Sequence, residues 1–362
     1  MRIAKLALWI VTSAASALAG LKPATTQGFE HYDALTAARI REEVSSGPFL
    51  SIDYLPAKDR AVALERLAAG EVWIQRLRTY DHGQAIEVPG GLIHHWIATA
   101  FIPGTTLDRA LAVVQDYDDQ QRFYSPDVQQ SRLISRRGND FHVFLRFRRS
   151  KGVTVVLDTE HEVYYTRVDT MRAYSRSVST RIAEVADPGK PMEHELSPGE
   201  DHGFLWRLNS YWRFEQADGG VYLECEVVSL TRDIPTGLGW LIRPFVENVP
   251  RESLLFTMTA TRRALEEKNL KASHEGHGDN TEGFAPDPSQ LFVQPSHPWF
   301  FDFRNNWREN KWQQPKSQSL RSGGLSASST PFGFRKVSRL RWNAASCAGL
   351  QSACRQGSTP TI

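Results

Sequence analysis

The clearest pattern in the chain is a period-two alternation over Gly203–Leu230. Phe204, Trp206, Leu208, Trp212 and Phe214 fall on one side of a first strand, and Arg207, Asn209, Tyr211, Arg213 and Glu215 fall on the other. Asp218-Gly219 supplies a two-residue turn whose backbone needs positive φ. That turn sets Arg213 opposite Glu224, Tyr211 opposite Glu226, and Trp212 opposite Cys225. Opposite charges then meet on one face and bulky apolar groups on the other, so turn and pattern specify one register. An inner face this aromatic must pack on a helix or line a cavity.

The same reading places strands at Glu71–Tyr80, Leu92–Ile102, Gln129–Arg137, Asp140–Arg149, Val153–Val168, Arg172–Val185, Phe204–Gln216 and Val221–Arg232. Helical spacing covers Ala34–Val44 with Asp33 as its N-cap, and Ala57–Ala69 with Gly70 as its stop. A third helix runs through Leu107–Tyr117 behind a Thr105 or Thr106 cap. Leu238–Lys268 reads as a long helix interrupted at Pro244 and Pro250, with Leu254, Leu255, Met258 and Leu265 on one broad face. The order is strand, helix, several antiparallel strands and a long C-terminal helix. That is an α+β class, with the helix lying across a curved sheet.

A second hairpin extends the apolar face. A three-residue loop, Ser150-Lys151-Gly152, pairs Phe147 with Val155, Leu145 with Leu157, Val143 with Thr159, and Phe141 with His161. His161 and Tyr165 then share the inner face with Trp206, Ser210, Trp212, Cys225 and Ser229. Aromatic walls carrying a few polar groups are what a small-molecule pocket requires. A filled core accounts for the same residues, with Ser210 and Ser229 bonded to backbone and His161 at a wet rim. The basic run Arg136, Arg137, Arg146, Arg148 and Arg149 reads as the outer face, pairing with Asp158 and Glu160.

Composition adds bounds rather than chemistry. The chain has 362 residues and a formal charge of +2, which points to neither a nucleic-acid nor a membrane-surface partner. Arg2 and Lys5 precede the apolar run Leu6–Ala19, which ends in Ala17-Leu18-Ala19. That is the layout of a signal peptide, too short to span a bilayer, and it predicts a secreted or periplasmic product with no integral membrane segment once removed. Residues 20–69 read as an N-terminal helical extension and 70–268 as the main domain. Residues 269–362 read as a disordered basic tail, without one Asp or Glu after Glu309; an interaction tail and a foreign reading frame are the other readings. Cys225 reads as a buried free thiol, whereas Cys347 and Cys354 are close enough in sequence to pair.

No catalytic, metal or cofactor motif accompanies this frame. His94 and His95 are adjacent in a strand and point to opposite faces, so they cannot chelate together. His274 and His277 form a short pair in a polar stretch, and Asp116, Asp118 and Asp119 lack the Gly and closing Glu of a calcium loop. There is no P-loop, no GxGxxG after a strand and no GxSxG elbow.

Laid out in this order, residues 70–268 resemble the START-like superfamily of polyketide cyclase-like and pollen-allergen-like proteins with the helix-grip fold. The wording resembles an uncharacterised group of bacterial secreted members. The resemblance rests on GGLIHHWIATAFIPG at Gly90–Gly104, the helix and DYD at Asp116–Asp118, FLWRLNSYWRF at Phe204–Phe214, and SLTRDIPTGLGWL at Ser229–Leu241. It implies an apolar cavity between the sheet and the C-terminal helix. An apolar small molecule or lipid would bind there, with Trp206 and Trp212 stacking on it and Tyr165, His161 and Ser210 orienting a polar end. Pro235–Gly239 would form a gate. Two alternatives use the same residues: a cyclase or dehydratase with His161 as base and Tyr165 as acid, and a ligand-free envelope interaction protein. His161 and Tyr165 are about 13 Å apart along one strand, too far for direct cooperation.

Overall fold

The computed structural model describes residues 21–151, 153–234 and 239–275, with side chains except at 151, 239–247 and 271–275. The signal-like segment, the tail with Cys347 and Cys354, and most of the gate lie outside the described residues. The chain begins with helix α1 (Pro23–Ser46), a short 3-10 turn at Ser51–Tyr54 and helix α2 (Ala57–Ala68). Strand β1 (Trp73–Arg76), the small hairpin β2 (Tyr80–Asp81) and β3 (Gln84–Ala85), and the long strand β4 (Gly91–Pro103) follow. Helices α3 (Leu107–Val114) and α4 (Gln120–Phe123) lead into β5 (Val128–Arg137), β6 (Asp140–Lys151), β7 (Val153–Arg167) and β8 (Arg172–Ala186). The short β9 (His194–Glu195), then β10 (Arg207–Ala217), β11 (Gly220–Arg232) and the long helix α5 (Gly239–Glu275) complete the order.

The main strands form one antiparallel sheet in the order β1-β4-β11-β10-β8-β7-β6-β5, with β9 on β8. A curved antiparallel sheet around a long C-terminal helix is the α+β, helix-grip arrangement expected from the sequence. The β10–β11 register is the one the turn dictates: Arg213 faces Glu224, Tyr211 faces Glu226 and Trp212 faces Cys225. Asp218 and Gly219 both take positive φ, 55° and 76°. The β6–β7 register differs from expectation. Lys151 pairs with Val153, so Phe147 faces Leu157 and Val143 faces His161. The loop is tighter than three residues and the pairing slides by two, which keeps every side chain on its expected face but changes its neighbour.

Helix α5 runs unbroken through Pro244 and Pro250 and continues past Lys268, where the sequence places the start of the tail. Asn269 donates from its amide to the Thr105 hydroxyl, tying that last stretch to the entry of α3. Leu254, Met258, Thr261 and Leu265 are buried at helical spacing against the inner face. With Phe214, Leu223, Cys225, Phe141 and Tyr165 they form the main core. Each such apolar side chain contributes about 1.5–3 kcal/mol by leaving water. Thr106 caps α3, its hydroxyl accepting from the Arg109 N–H at 3.4 Å.

The opposite face of the sheet is covered too. Helix α1 begins at Pro23, eleven positions before the predicted start, because Phe29, Tyr32, Ala37 and Ile40 pack on Tyr211, Val228 and Leu230. Asp33 is therefore no N-cap; it lies inside the helix, buried, and accepts from the Tyr211 hydroxyl at 2.7 Å. The sheet is sandwiched between helices on both sides.

Candidate functional site

Register fixes what lies side by side on the inner face. Ser177 on β8, Ser210 on β10, Val227 on β11 and Trp96 on β4 form one row across four strands. All four are only partly buried. On one side, Ser175, Trp212, Cys225 and Ala98 form the next row, where Trp212 is partly buried and the others are buried. On the other side, Leu208, Ser229 and His94 line up, with Leu208 again partly exposed. The inner face thus holds a strip with two indole rings, two serine hydroxyls and aliphatic groups, bordered by packed rows. Trp96 and Trp212 lie two strands apart, about 10 Å across the sheet.

One edge of the strip carries an incomplete polar group. His94 is 1 % exposed; its Nε2 meets the Thr231 hydroxyl at 3.0 Å, while Nδ1 has no hydrogen-bond partner. Burial, assisted by the charge of Arg76, pushes its pKa down to about 4, so the ring is neutral at pH 7. A neutral imidazole presents one nitrogen as donor and the other as acceptor. The unpartnered nitrogen is what a polar end of a bound molecule would satisfy.

The deep part of the inner face is a closed hydroxyl cluster. Tyr117 and Tyr165 share a hydrogen bond of 2.8 Å, and Tyr124 meets Thr261 of α5 at 2.9 Å. Burial raises the pKa of Tyr117 and Tyr165 and pushes Tyr124 up to about 12. These phenols stay neutral at pH 7. Cys225 beside them is a buried free thiol, its pKa raised well above the usual thiol value by burial and by Glu226 and Glu224.

The predicted site residues divide between several places. Ser210, Trp212, Cys225 and Ser229 lie together on the inner face, as the alternation implies. His161 and Tyr165 share that face but are committed elsewhere. His161 is 3 % exposed, bonds the Thr159 hydroxyl at 3.0 Å, and is held neutral by burial with a pKa of about 4. Tyr165 is bonded to Tyr117. Trp206 is on the wrong side: it packs in the outer cluster with Phe29 and Tyr32, and its Nε1 donates to Asp201 at 2.7 Å. The regular strand starts only at Arg207, after Gly203 at φ 74°, so period-two counting does not reach Trp206. Trp96 and His94 stand on the inner face where Trp206 was expected. The signal for them was the alternation of β4, which puts both on the Ala98 and Ala100 side.

The charged face of β10 and β11, read from sequence as a face of paired opposite charges, is deeply buried. Arg213 and Glu224 are each 1 % exposed and Glu226 is 0 % exposed. Arg213 reaches Glu43 of α1 at 2.5 Å, Glu224 at 3.1 Å and the Phe49 carbonyl at 3.1 Å. Arg39 of α1 bonds Glu226, which also meets His95 at 2.7 Å, and His95 meets the Tyr32 hydroxyl at 2.9 Å. Glu224 further accepts from the Ser51 N–H at 2.9 Å and the Thr99 hydroxyl at 3.1 Å. Burial pushes Glu226 upward, but His95, Arg39 and Arg213 together hold its pKa below the usual glutamate value. Burial wins at Glu224, whose pKa is raised despite Arg213. Nearer the β6–β7 edge, Arg146 grips Asp158 with two bonds of 2.6 and 2.7 Å, the outer-face pairing expected there. Asp118 is not part of a calcium loop; its carboxylate accepts from the Leu133 N–H at 2.8 Å.

No described helix is long and apolar enough to cross a membrane. No family model matches the chain, and no curated protein matches it. Among solved structures it is similar to a STAR-related lipid transfer protein fragment from Xanthomonas axonopodis. That match has 17 % identity and a TM-score of 0.34, over 53 % of this chain and 98 % of that one. It is also similar to human STARD10, at 12 % identity and a TM-score of 0.36, over 62 % and 85 % of the two chains. The Zhui aromatase/cyclase from Streptomyces sp. R1128 matches at 13 % identity and a TM-score of 0.33, over 49 % and 97 %. At these values the likenesses carry no argument about ligand or activity. The fold is read from the strand order of the chain itself.

Proposed function

We propose that this chain binds an apolar small molecule or lipid on the inner face of its sheet. The observation that carries the reading is the row Ser177–Ser210–Val227–Trp96, partly exposed in the middle of a face otherwise packed against α5. Apolar burial on Trp96, Trp212, Leu208 and Val227 would supply affinity, at about 25 cal/mol per Å² removed from water. His94 Nδ1, Ser177 and Ser210 would orient a polar end. The role of the protein would be exercised after export, in the periplasm or outside the cell, a reading supported by Arg2, Lys5 and Ala17-Leu18-Ala19.

An acid–base enzyme on this face has less support. His161 and Tyr165 each hold a different partner, and both are buried and neutral at pH 7. Binding is tested by fluorescence titration with N-phenyl-1-naphthylamine, an uncharged apolar probe. Ser210→Trp, which fills the row, and Trp96→Ala, which removes one wall, should each weaken binding about tenfold or more while circular dichroism stays unchanged. Tight binding retained by Ser210→Trp, or no binding by the unmutated protein, would overturn the reading.

A further inference from the structure

A second concavity lies between α2, β1 and α5 and shares no lining residue with the inner-face strip. Helix α2 ends on Gly70, φ 80°, where the Gly70 N–H donates to Leu67 O at 3.0 Å and the Glu71 N–H donates to Arg66 O at 2.9 Å. This paired closure of a helix end needs a residue at positive φ, and glycine takes it without strain. It brings Arg66 to the rim of a cleft of about 390 Å³, together with Arg251 and Arg262 of α5. Val72, Ile74 and Leu255 supply the apolar lining, and Glu71 is its one carboxylate. Gly70 has a second use here: a Cβ at that position would stand 2.9 Å from Arg262 Nη1.

The arginines keep donors in reserve. Arg66 bonds Glu71 through Nε at 2.7 Å and lies 5.6 Å from the Trp73 ring centre, and its Nη1 and Nη2 make no hydrogen bond among the described residues. Arg262 approaches Glu266 through Nε at 2.9 Å, and its two Nη groups are likewise without a hydrogen bond among the described residues. Arg251 has no ion pair or hydrogen bond among the described residues. Three guanidinium groups thus border one cleft against a single lining carboxylate. Planar forks with paired free N–H groups match the oxygens of a phosphate better than a lone ammonium would, and three guanidinium groups against Glu71 and Glu266 leave one positive charge in excess, which favours an anion.

We propose that this cleft is a phosphate-binding site, with Arg251 and Arg262 donating to the phosphate oxygens, Arg66 closing the rim, and the apolar lining receiving whatever the phosphate carries. The phosphate would come from a lipid headgroup or from a soluble phosphate, and the cleft's chemistry serves either.

The test is isothermal titration calorimetry of the full chain, in low-salt buffer free of phosphate, with inorganic phosphate and separately with dihexanoyl phosphatidic acid. The unmutated protein should bind at least one of them, and Arg251→Ala combined with Arg262→Gln should weaken that binding at least tenfold with the circular dichroism unchanged. A more than tenfold preference for the short-chain lipid over inorganic phosphate assigns the site to a lipid headgroup; equal affinities assign it to a soluble phosphate. Ser210→Trp should leave phosphate binding unchanged, so a failure of the inner-face reading and a failure of this one are told apart. No binding of either ligand, an unchanged double variant, or acetate binding as tightly as phosphate would overturn the proposal.

Discussion

Arg213→Ala removes the centre of the buried ion network and should be among the costliest single substitutions in the protein. The side chain is 1 % exposed and touches Glu43, Glu224 and the Phe49 carbonyl, with Glu226 at 3.8 Å. Its loss leaves Glu224 buried with its hydroxyl and N–H donors but no cation, and removes one of the polar links from α1 to β10, the Tyr211–Asp33 hydrogen bond remaining. Breaking a buried pair by deleting one partner costs about 3–5 kcal/mol, because the remaining charge stays desolvated. For a domain of this size that is a drop in midpoint of roughly 6–20 °C. Urea denaturation followed by circular dichroism measures it, and adding Glu224→Gln to Arg213→Ala supplies a double-mutant cycle. The second substitution should return at least about 1 kcal/mol, since a neutral amide no longer needs the guanidinium. A single-variant loss below about 1 kcal/mol, or strict additivity in the cycle, would refute the view that this face is held by paired charge. The folded fraction of Arg213→Ala should still bind the naphthylamine probe, because the inner face lies on the other side of the sheet.

Other outcomes follow from the same geometry. His94 and His161 have folded pKa values of about 4 against 6.5 unfolded, so the stability gained by keeping them neutral is complete above pH 6.5 and is lost as pH falls toward 4. The loss at pH 5 is about 2 kcal/mol per histidine. Glu226, with a lowered pKa, adds to acid destabilisation, while Glu224, with a raised one, opposes it, so the informative measurement is a flatter slope in His161→Gln than in the unmutated protein. Gly220→Ala should cost more than about 2 kcal/mol, because a Cβ there would sit 2.4 Å from the Ile102 carbonyl oxygen on β4. Gly138→Ala, at φ 61° in open space, should cost only the roughly 1 kcal/mol of a left-handed backbone, and equal midpoints in the two variants would count against the packing. Protein recovered outside the cytoplasm should begin at or near Gly20 on N-terminal sequencing; an intact Met1 would refute export.

What was legible in the sequence, and what was not, divides along physical lines. The β10–β11 pairing was readable to the residue because a two-residue turn and two alternating faces agree, and local rules suffice. In β6–β7 alternation keeps the faces but does not choose between registers that differ by two residues. The inner-face positions of Ser210, Trp212, Cys225 and Ser229 followed from parity. Trp206 did not, because it precedes the strand whose parity was extended to it. The burial of the charged face was not readable at all: Arg213, Glu224 and Glu226 alternate as a solvated face would. Only the docking of α1, far off in sequence, distinguishes the two cases. The cleft at Arg66, Arg251 and Arg262 was missed for the same reason, since its arginines come from opposite ends of the domain.

The order of the strands also has a consequence in time. Strand β4 hydrogen-bonds to β11, over a hundred residues later, and α1 reaches across both through Arg39 and Glu43 to residues on β10 and β11. During synthesis β4 therefore waits with its β11 edge unpaired, while β5 to β8 emerge and form local hairpins among themselves. Sheet closure is a long-range loop closure that cannot begin until β11 is made, and such contacts are slow to form. A chain arrested before β10 would hold Glu43 and Arg39 with none of the partners that bury them. The step that locks both helical layers onto the sheet thus depends on the last strand to arrive.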